Sequence, residues 1–78
     1  MTTRPLYEIA REIRADWKTP YFGAEPYIIA MSMLRSVDDS DGMDSGKSIV
    51  NYFLANAGTW RGEVARRIKS ELKTMVKS

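Results

Sequence analysis

The chain has 78 residues, of which 44% are hydrophobic and 28% are charged, and its formal net charge is +2. These proportions are typical of one globular domain spanning residues 1–78, and they exclude a disordered tail. The sequence contains neither cysteine nor histidine, which excludes disulfides and thiolate metal sites and removes the most common general base.

The charges are unevenly distributed along the chain. Residues 1–37 carry a net charge of +1, residues 38–46 a net charge of −4, and residues 47–78 a net charge of +5. This distribution predicts a polarised surface whose basic end contacts an anionic partner. The N-terminal segment is charged, and no apolar run is long enough for a membrane span. We therefore expect a cytoplasmic protein with no membrane partner.

The first helix is predicted from about Arg4 to Trp17. Pro5 occupies a position that the first turn of a helix tolerates, and Pro20 ends the helical pattern because the residue before proline avoids the α region. Apolar residues recur at steps of three and four, which indicates one buried face. These residues are Leu6, Ile9, Ile13 and Trp17.

The second helix is predicted from Tyr27 to about Val37, directly after Pro26. Only three polar residues, Ser32, Arg35 and Ser36, interrupt its apolar positions. The segment is therefore predicted to be the most buried element, at the centre of the fold. An acidic, glycine-containing loop follows it.

The third helix is predicted to begin at Asp44 or Ser45, either of which can act as its N-cap. Gly58 fits the left-handed position after this helix, and Thr59 can cap the next one. The two helices would form an antiparallel hairpin, and no segment shows a strand pattern. The inward residues of the third helix are Ile49, Val50, Phe53, Leu54 and Ala57. The expected fold is an all-α, small four-helix bundle with a C-terminal antiparallel helix hairpin.

The fourth helix, from Thr59 to Lys77, has two distinct arcs at 100° per residue. The apolar arc contains Trp60, Val64, Ala65, Ile68, Leu72, Met75 and Val76. The basic arc contains Arg66, Lys69, Lys73 and Lys77. We predict that these four cations, referred to below as the basic column, form the partner-binding site.

The acidic loop contains two partial motifs. Gly46-Lys47-Ser48 resembles the end of a phosphate-binding loop, but Asp41 occupies the position of that motif's first glycine. A calcium loop centred on Gly42 would place Val37 and Ser48 at its first and last ligand positions, where neither supplies a carboxylate. We therefore predict a helix cap here, with no cofactor and no metal site.

No group of residues predicts catalysis. The serines have no histidine partner, and Glu8 and Glu12 share an exposed helix face that lacks the apolar surroundings needed to raise the pKa of a carboxyl group. We therefore predict that the protein has no catalytic residues and is not an enzyme.

The third and fourth helices also invite comparison with a DNA-binding helix-turn-helix. Leu54 stands where a small residue normally lets the helices cross, and Arg67 stands where an inward apolar residue belongs. The predicted recognition helix is also long for this role. A plain helix pair with a solvated basic side is favoured, and DNA binding remains the alternative. On DNA, Lys69, Lys73 and Lys77 would suit phosphates better than base edges.

Two segments, IAREIRADWKTPYFGAEPYIIAM and SGKSIVNYFLANAGTWRGEVARRIKSELK, cover most of the chain. They are similar to short uncharacterised helical proteins carried by phages and integrating mobile elements of high-GC Gram-positive bacteria. The resemblance implies a non-enzymatic accessory protein that binds a host or defence protein, with anti-CRISPR-like inhibition as one form. It carries over no functional residues. A homodimer that covers Tyr7, Tyr21 or Phe22 is a further expectation.

Overall fold

The computed structural model describes residues 4–41 and 44–77, apart from the side chains of residues 40, 41 and 44. Each helix packs on the one before it, and the fourth also packs on the first, so the all-α bundle is confirmed. The described residues form helices α1 (Leu6–Asp16), α2 (Glu25–Met31), α3 (Gly46–Ala55) and α4 (Glu63–Lys77), with two short strands, β1 (Ser40–Asp41) and β2 (Asp44–Ser45).

Helix α1 follows the predicted amphipathic pattern. Pro5 is its N-cap in an extended conformation, and the helix ends at Asp16, one residue before Trp17. Its inward side chains Leu6, Ile9 and Ile13 are completely buried. The predicted face of the first helix is therefore the face that contacts the core.

Helix α2 is shorter than predicted, because it ends at Met31 and not near Val37. Beyond it, the carbonyl oxygen of Leu34 accepts the N–H of Tyr7, and that of Arg35 accepts the N–H of Leu6, each at 3.0 Å. The first N–H groups of a helix have no partner within that helix. Here the chain leaves the α conformation and supplies these acceptors to α1.

Helix α2, which was predicted to lie at the centre as the most buried element, buries Ile28, Ala30 and Met31 but leaves other side chains exposed. Ile29 is 45% exposed and Met33, just beyond the helix, is 66% exposed. The core instead draws side chains from all four helices and from the segments between them. Phe53 of α3 is completely buried.

The acidic segment folds as a tight connection to α3. Ser40 pairs with Ser45 in an antiparallel bridge, a strand pairing that the sequence pattern did not indicate. The Asp39 carboxylate accepts N–H bonds from Arg35 and Ser36, at 2.9 and 3.2 Å. Ser45 is the N-cap of α3 and accepts the N–H of Ser48, so the predicted helix cap is confirmed.

Gly46 lets α3 begin very close to the preceding chain. A Cβ atom at this position would lie 2.6 Å from the carbonyl oxygen of Ser36 and 2.8 Å from the Cα atom of Val37. Both neighbours are backbone atoms, which cannot move as a flexible side chain can. The glycine that resembles part of a phosphate-binding loop is therefore explained by packing.

The connection between α3 and α4 spans residues 56–62 and differs from the predicted tight turn. Gly62, with φ of 116°, adopts the left-handed conformation that was predicted for Gly58. Helix α4 begins at Glu63, so Thr59 does not cap it and Trp60 lies outside the helix. Despite this longer connection, α3 and α4 pack against each other.

Trp60 joins this connector to the core. Its ring stacks on Trp17 with centroids 5.6 Å apart and planes 8° apart, and Phe53 meets it edge-on at 6.2 Å. The Trp60 Nε1–H donates to the Asp16 carboxylate at 2.8 Å. Trp17, Phe53 and Trp60 are called the aromatic cluster below. The predicted burial of Trp60 is confirmed, since its side chain is 2% exposed.

Ion pairs join α1 to α4 on one side of the bundle. The Arg4 guanidinium donates to Glu12 at 2.8 Å and to Glu71 at 2.8 and 3.0 Å. Arg67 pairs with the other oxygen of Glu12. Arg67 stands where a helix-turn-helix would need an inward apolar residue. In the structure its guanidinium group instead pairs with a carboxylate of α1.

We predict that Trp60→Ala lowers the free energy of unfolding by about 3–5 kcal/mol, because removal of a buried aromatic ring leaves a cavity in the core. Urea denaturation followed by circular dichroism measures this change. Phe22→Ala is the matched control, because Phe22 is 80% exposed and its loss should cost at most about 0.5 kcal/mol. Equal midpoints for wild type and Trp60→Ala would show that the ring is not part of the core.

We predict that Glu12 contributes stability that is lost in acid. The Arg67 and Arg4 guanidinium groups hold the pKa of Glu12 below its ordinary value of 4.5. A carboxylate with a lowered pKa stabilises the fold above its unfolded-state pKa, and this contribution disappears as pH falls through the folded-state value. The free energy of unfolding should therefore fall less steeply below pH 4.5 in Glu12→Gln than in wild type.

The control for this comparison is Glu8→Gln, because Glu8 is exposed on α1 and forms no ion pair within the part of the chain that is described. Urea denaturation at a series of acidic pH values gives the slope for each variant. If Glu12→Gln and Glu8→Gln lose stability in acid with the same slope, the Glu12 ion pairs do not stabilise the fold.

Candidate interaction surface

The structure places the predicted basic column on one side of α4, but its members differ in environment. Arg66, Lys73 and Lys77 are exposed, whereas Lys69 is partly buried. Their spacing of three and four residues keeps them on neighbouring turns of the helix. Three of the four cations are thus available to solvent along the length of α4.

Lys69 has a structural contact that the helical pattern did not reveal. Its Nζ donates to the carbonyl oxygen of Trp60 at 2.6 Å and lies 5.9 Å from the centre of the Trp60 ring. Burial, followed by repulsion from Lys73 and Arg61, lowers the pKa of Lys69. An ammonium group has three N–H donors, so this hydrogen bond leaves donors for a second contact. Lys69 therefore holds the connector against α4 within a positively charged environment.

The start of α4 and the preceding connector enclose a shallow depression of about 360 Å³. Two guanidinium groups and one ammonium group line it, around a base formed by small and aromatic residues. It is called the cationic depression below. Its lining residues are Gly58, Trp60, Arg61, Gly62, Ala65, Arg66 and Lys69.

Arg61 is a candidate site residue that the sequence analysis missed. The pattern placed it inside the fourth helix, where it belonged to neither the apolar arc nor the basic column. In the structure it lies in the connector, exposed, beside Gly62. The glycines at positions 58 and 62 were the signal that could have placed Arg61 in a loop, because both weaken a helix.

The cations around this depression are not neutralised by carboxylates. Each ion pair found among residues 4–41 and 44–77 uses Arg4, Arg14 or Arg67, and none uses Arg61, Arg66, Lys73 or Lys77. Glu63 is exposed in the first turn of α4 and is outside these pairs as well. Lys73 and Arg61 also repel the Lys69 ammonium group, which after burial is the second cause of its lowered pKa. An anionic group placed here would relieve this repulsion.

A second depression, of about 260 Å³, also has Gly58 in its lining. Tyr21 forms part of its lining and contacts Phe22, with ring centroids 4.8 Å apart. Phe22 is the most exposed large hydrophobic residue described, at 80%. This feature is called the aromatic depression below. Its lining residues are Tyr21, Ala55, Asn56, Gly58 and Thr59.

The arrangement of α3, α4 and their connector differs from a helix-turn-helix in more respects than the sequence pattern indicated. The connector of residues 56–62 is longer than the turn of about three or four residues that the motif uses. Leu54 is partly buried, as its bulk requires, and Arg67 turns to Glu12 of α1. A recognition helix would have to be presented by a different arrangement of α3 and α4.

The N–H groups of Gly46, Lys47 and Ser48, which resemble the end of a phosphate-binding loop, already have partners. The N–H of Gly46 donates to the carbonyl oxygen of Asp39 at 2.6 Å, and that of Lys47 donates to Val37 at 3.0 Å. The N–H of Ser48 donates to the Ser45 hydroxyl. These bonds leave no amide cradle at Gly46–Ser48.

Within the described residues, no group of three or more aspartate or glutamate side chains is placed to hold a metal ion. None of the helices described has the length and apolar character required to cross a membrane.

Tyr7, Tyr21 and Phe22 are exposed, which is the property on which the homodimer prediction rests. Comparison with known protein families, curated proteins and solved structures gave no significant match.

We predict that Arg61→Gln and Lys73→Gln each raise the pKa of Lys69 toward its ordinary value of 10.5, because each removes a cation that repels the Lys69 ammonium group. A pH titration of the Lys69 side chain by ¹³C NMR measures the shift. Arg11→Gln, on the exposed side of α1, is the control and should leave the Lys69 pKa unchanged. An unchanged Lys69 pKa in both test variants would contradict this description of the charge cluster.

Proposed function

We propose that this protein is a non-enzymatic binding module that attaches to an anionic surface of a host or defence protein. The main support for this proposal is that the cations lining the cationic depression, Arg61, Arg66 and Lys69, form no ion pair within the described residues. Natural surfaces usually intersperse charges of both signs. A local excess of one sign is more useful to an interaction than to the fold, because it destabilises the compact chain by self-repulsion.

The neighbouring aromatic side chains favour a protein partner. Tyrosine, phenylalanine and arginine are enriched in protein interfaces, where aromatic groups supply buried area and charges supply orientation. Here Tyr21 and Phe22 are exposed close to a surface that carries Arg61 and Arg66. Exposed aromatic groups cost solubility, so their presence beside a charged depression supports a role in binding.

The proposed mechanism is occlusion. Opposite charges would speed the encounter between the two proteins, and burial of the aromatic side chains would slow their separation. A module of this kind inhibits a host or defence protein by covering its functional surface, and it needs neither a catalytic group nor a cofactor. In a phage or mobile element, such an activity would be that of an accessory protein with anti-CRISPR-like or related inhibition.

DNA binding is the second candidate function. The exposed side of α4 offers Arg66, Ser70, Lys73, Thr74 and Lys77, and its one carboxylate, Glu63, lies in the first turn. Hydroxyl groups and cations in a row suit contacts to a phosphate backbone. The aromatic depression has no part in such contacts, and the long connector departs from a helix-turn-helix, so the protein partner is preferred.

We predict that Arg66→Glu/Lys73→Glu abolishes capture of the partner without unfolding the domain, because both side chains are exposed and form no ion pair within the described residues. Tagged wild type and variant are incubated with nuclease-treated host lysate, and bound proteins are quantified by mass spectrometry. Arg11→Glu/Lys18→Glu is the matched control, since it reverses two exposed cations elsewhere.

The expected result is a stoichiometric protein that wild type and control retain and that the double variant loses. Binding of duplex DNA that weakens with salt, with a log–log slope of about −0.9 per phosphate contact, would instead establish the second candidate. Recovery of nucleic acid alone from lysate without nuclease treatment would overturn the proposed protein partner.

A further inference from the structure

We propose that the cationic and aromatic depressions form one docking surface for an acidic segment of the partner protein, in which an apolar side chain adjoins the carboxylates. This inference rests on the proposed function and specifies the chemistry of the partner. The cationic depression would bind the carboxylates, and the aromatic depression would bind the apolar side chain.

The two depressions meet at a single residue. Gly58 lines both of them, so a ligand lying over Gly58 would adjoin the cations of one depression and Tyr21 of the other. A Cβ atom on Gly58 would have no neighbour within 4 Å, which shows that the surface above this residue is open. Gly58 therefore places no side chain on the surface that the two depressions share.

The charge of the ligand follows from the cationic depression. Arg61 and Arg66 reach it from the connector and from the first turns of α4, and Lys69 adds a third positive group. None of the three takes part in an ion pair within the part of the chain that is described. Guanidinium groups bind carboxylates through two parallel N–H donors, which makes an acidic side chain a matching ligand.

The protein nature of the ligand follows from the aromatic depression. Tyr21 and the adjacent Phe22 offer ring surface to solvent, and the hydroxyl and amide groups of Thr59 and Asn56 border the same depression. A phosphate group alone has no apolar surface to place there. An acidic peptide segment with one aromatic or aliphatic side chain satisfies both halves, because it buries apolar area while its charges stay paired.

The rigidity of this surface supports its use in docking. The Trp60 ring is fixed in the aromatic cluster, and its carbonyl oxygen is bound by Lys69. The connector is thus held at both its core side and its α4 side. A surface that is ordered before binding loses less conformational entropy when it binds.

The probe that tests this proposal is a synthetic peptide in which one Phe is flanked by Asp and Glu residues. Its binding is followed by amide chemical shifts in ¹⁵N NMR at physiological salt. Two matched peptides separate the contributions: one replaces Asp and Glu by Asn and Gln, and the other replaces Phe by Ser. Inorganic phosphate is titrated as a separate probe for a simple anion site.

Two variants alter the two features that the proposal needs. Arg61→Gln/Arg66→Gln removes both guanidinium groups, and Gly58→Phe adds a ring at the residue that both depressions share, where a Cβ atom meets no neighbour within 4 Å. The matched control, Arg11→Gln/Lys18→Gln, removes the same charge from exposed positions elsewhere. Circular dichroism establishes that each variant is folded before its affinity is compared with that of wild type.

The expected shifts are confined to residues 56–69 and to Tyr21 and Phe22. The loss of two charge contacts should weaken binding of the acidic peptide about tenfold. Gly58→Phe should weaken it as well, the Asn/Gln and Ser peptides should bind less tightly than the acidic peptide, and the control variant should match wild type.

Three results would overturn the proposal. The first is an Asn/Gln peptide that binds as tightly as the acidic one. The second is a set of shifts spread over all the exposed cations. The third is a Ser peptide or inorganic phosphate that binds as tightly and shifts the same amides as the acidic peptide does, which would reduce the surface to an anion site.

Failure of this inference can be distinguished from failure of the proposed function. A host protein that is captured by Gly58→Phe and by Arg61→Gln/Arg66→Gln, but not by Arg66→Glu/Lys73→Glu, would retain the function and refute this docking surface. Capture of nucleic acid alone would refute the function itself.

Discussion

The position of the Trp60 side chain is the constraint on which the rest of this structure depends. Its ring completes the aromatic cluster, its indole N–H binds the end of α1 at Asp16, and its carbonyl oxygen binds Lys69 of α4. One residue of a connector thus joins three parts of the chain. Because a domain of this size has only a small core, a single large buried ring contributes a substantial share of its stability.

This anchoring also determines where the charges lie. With Trp60 inside, the connector brings Arg61 beside Arg66 and Lys69, and the cationic depression is the result. A different side of α4 carries Arg67 and Glu71, which pair with Glu12 of α1 and with Arg4 just before it. Helix α4 therefore has one charged side that stabilises the bundle and another whose charges remain available to a partner.

Much of the fold could be predicted from local patterns. The apolar positions of the first helix, the Ser45 cap and the burial of Trp60 follow from helical spacing and capping chemistry, which depend on neighbouring residues. The end of α2 could not be predicted in this way. Met33 and Leu34 continue the apolar pattern beyond Met31. In the structure, however, Leu34 and Arg35 supply backbone acceptors to the start of α1, a contact between distant parts of the sequence.

In the candidate site, too, some features follow from local sequence patterns and others depend on contacts between distant residues. Arg66, Lys73 and Lys77 lie on the exposed side of α4, where helical periodicity placed them. Lys69 satisfied the same periodicity, and only the three-dimensional position of Trp60 shows that it also fixes the connector. Arg61 was not predicted as a site residue because the sequence pattern extended the fourth helix back to Trp60. In the structure the Trp60 ring is buried, Gly62 adopts a left-handed conformation, and α4 begins at Glu63.

Trp60 is an integral part of the core and so fixes the surface above it. Hydrogen exchange of the Trp60 indole N–H tests this claim most directly, since this group is buried and bound to Asp16. We expect the indole N–H to exchange only through global unfolding, with the same free energy as the most protected amides of α4. Rapid indole exchange while those amides stay protected would show that Trp60 opens independently, and would contradict the claim.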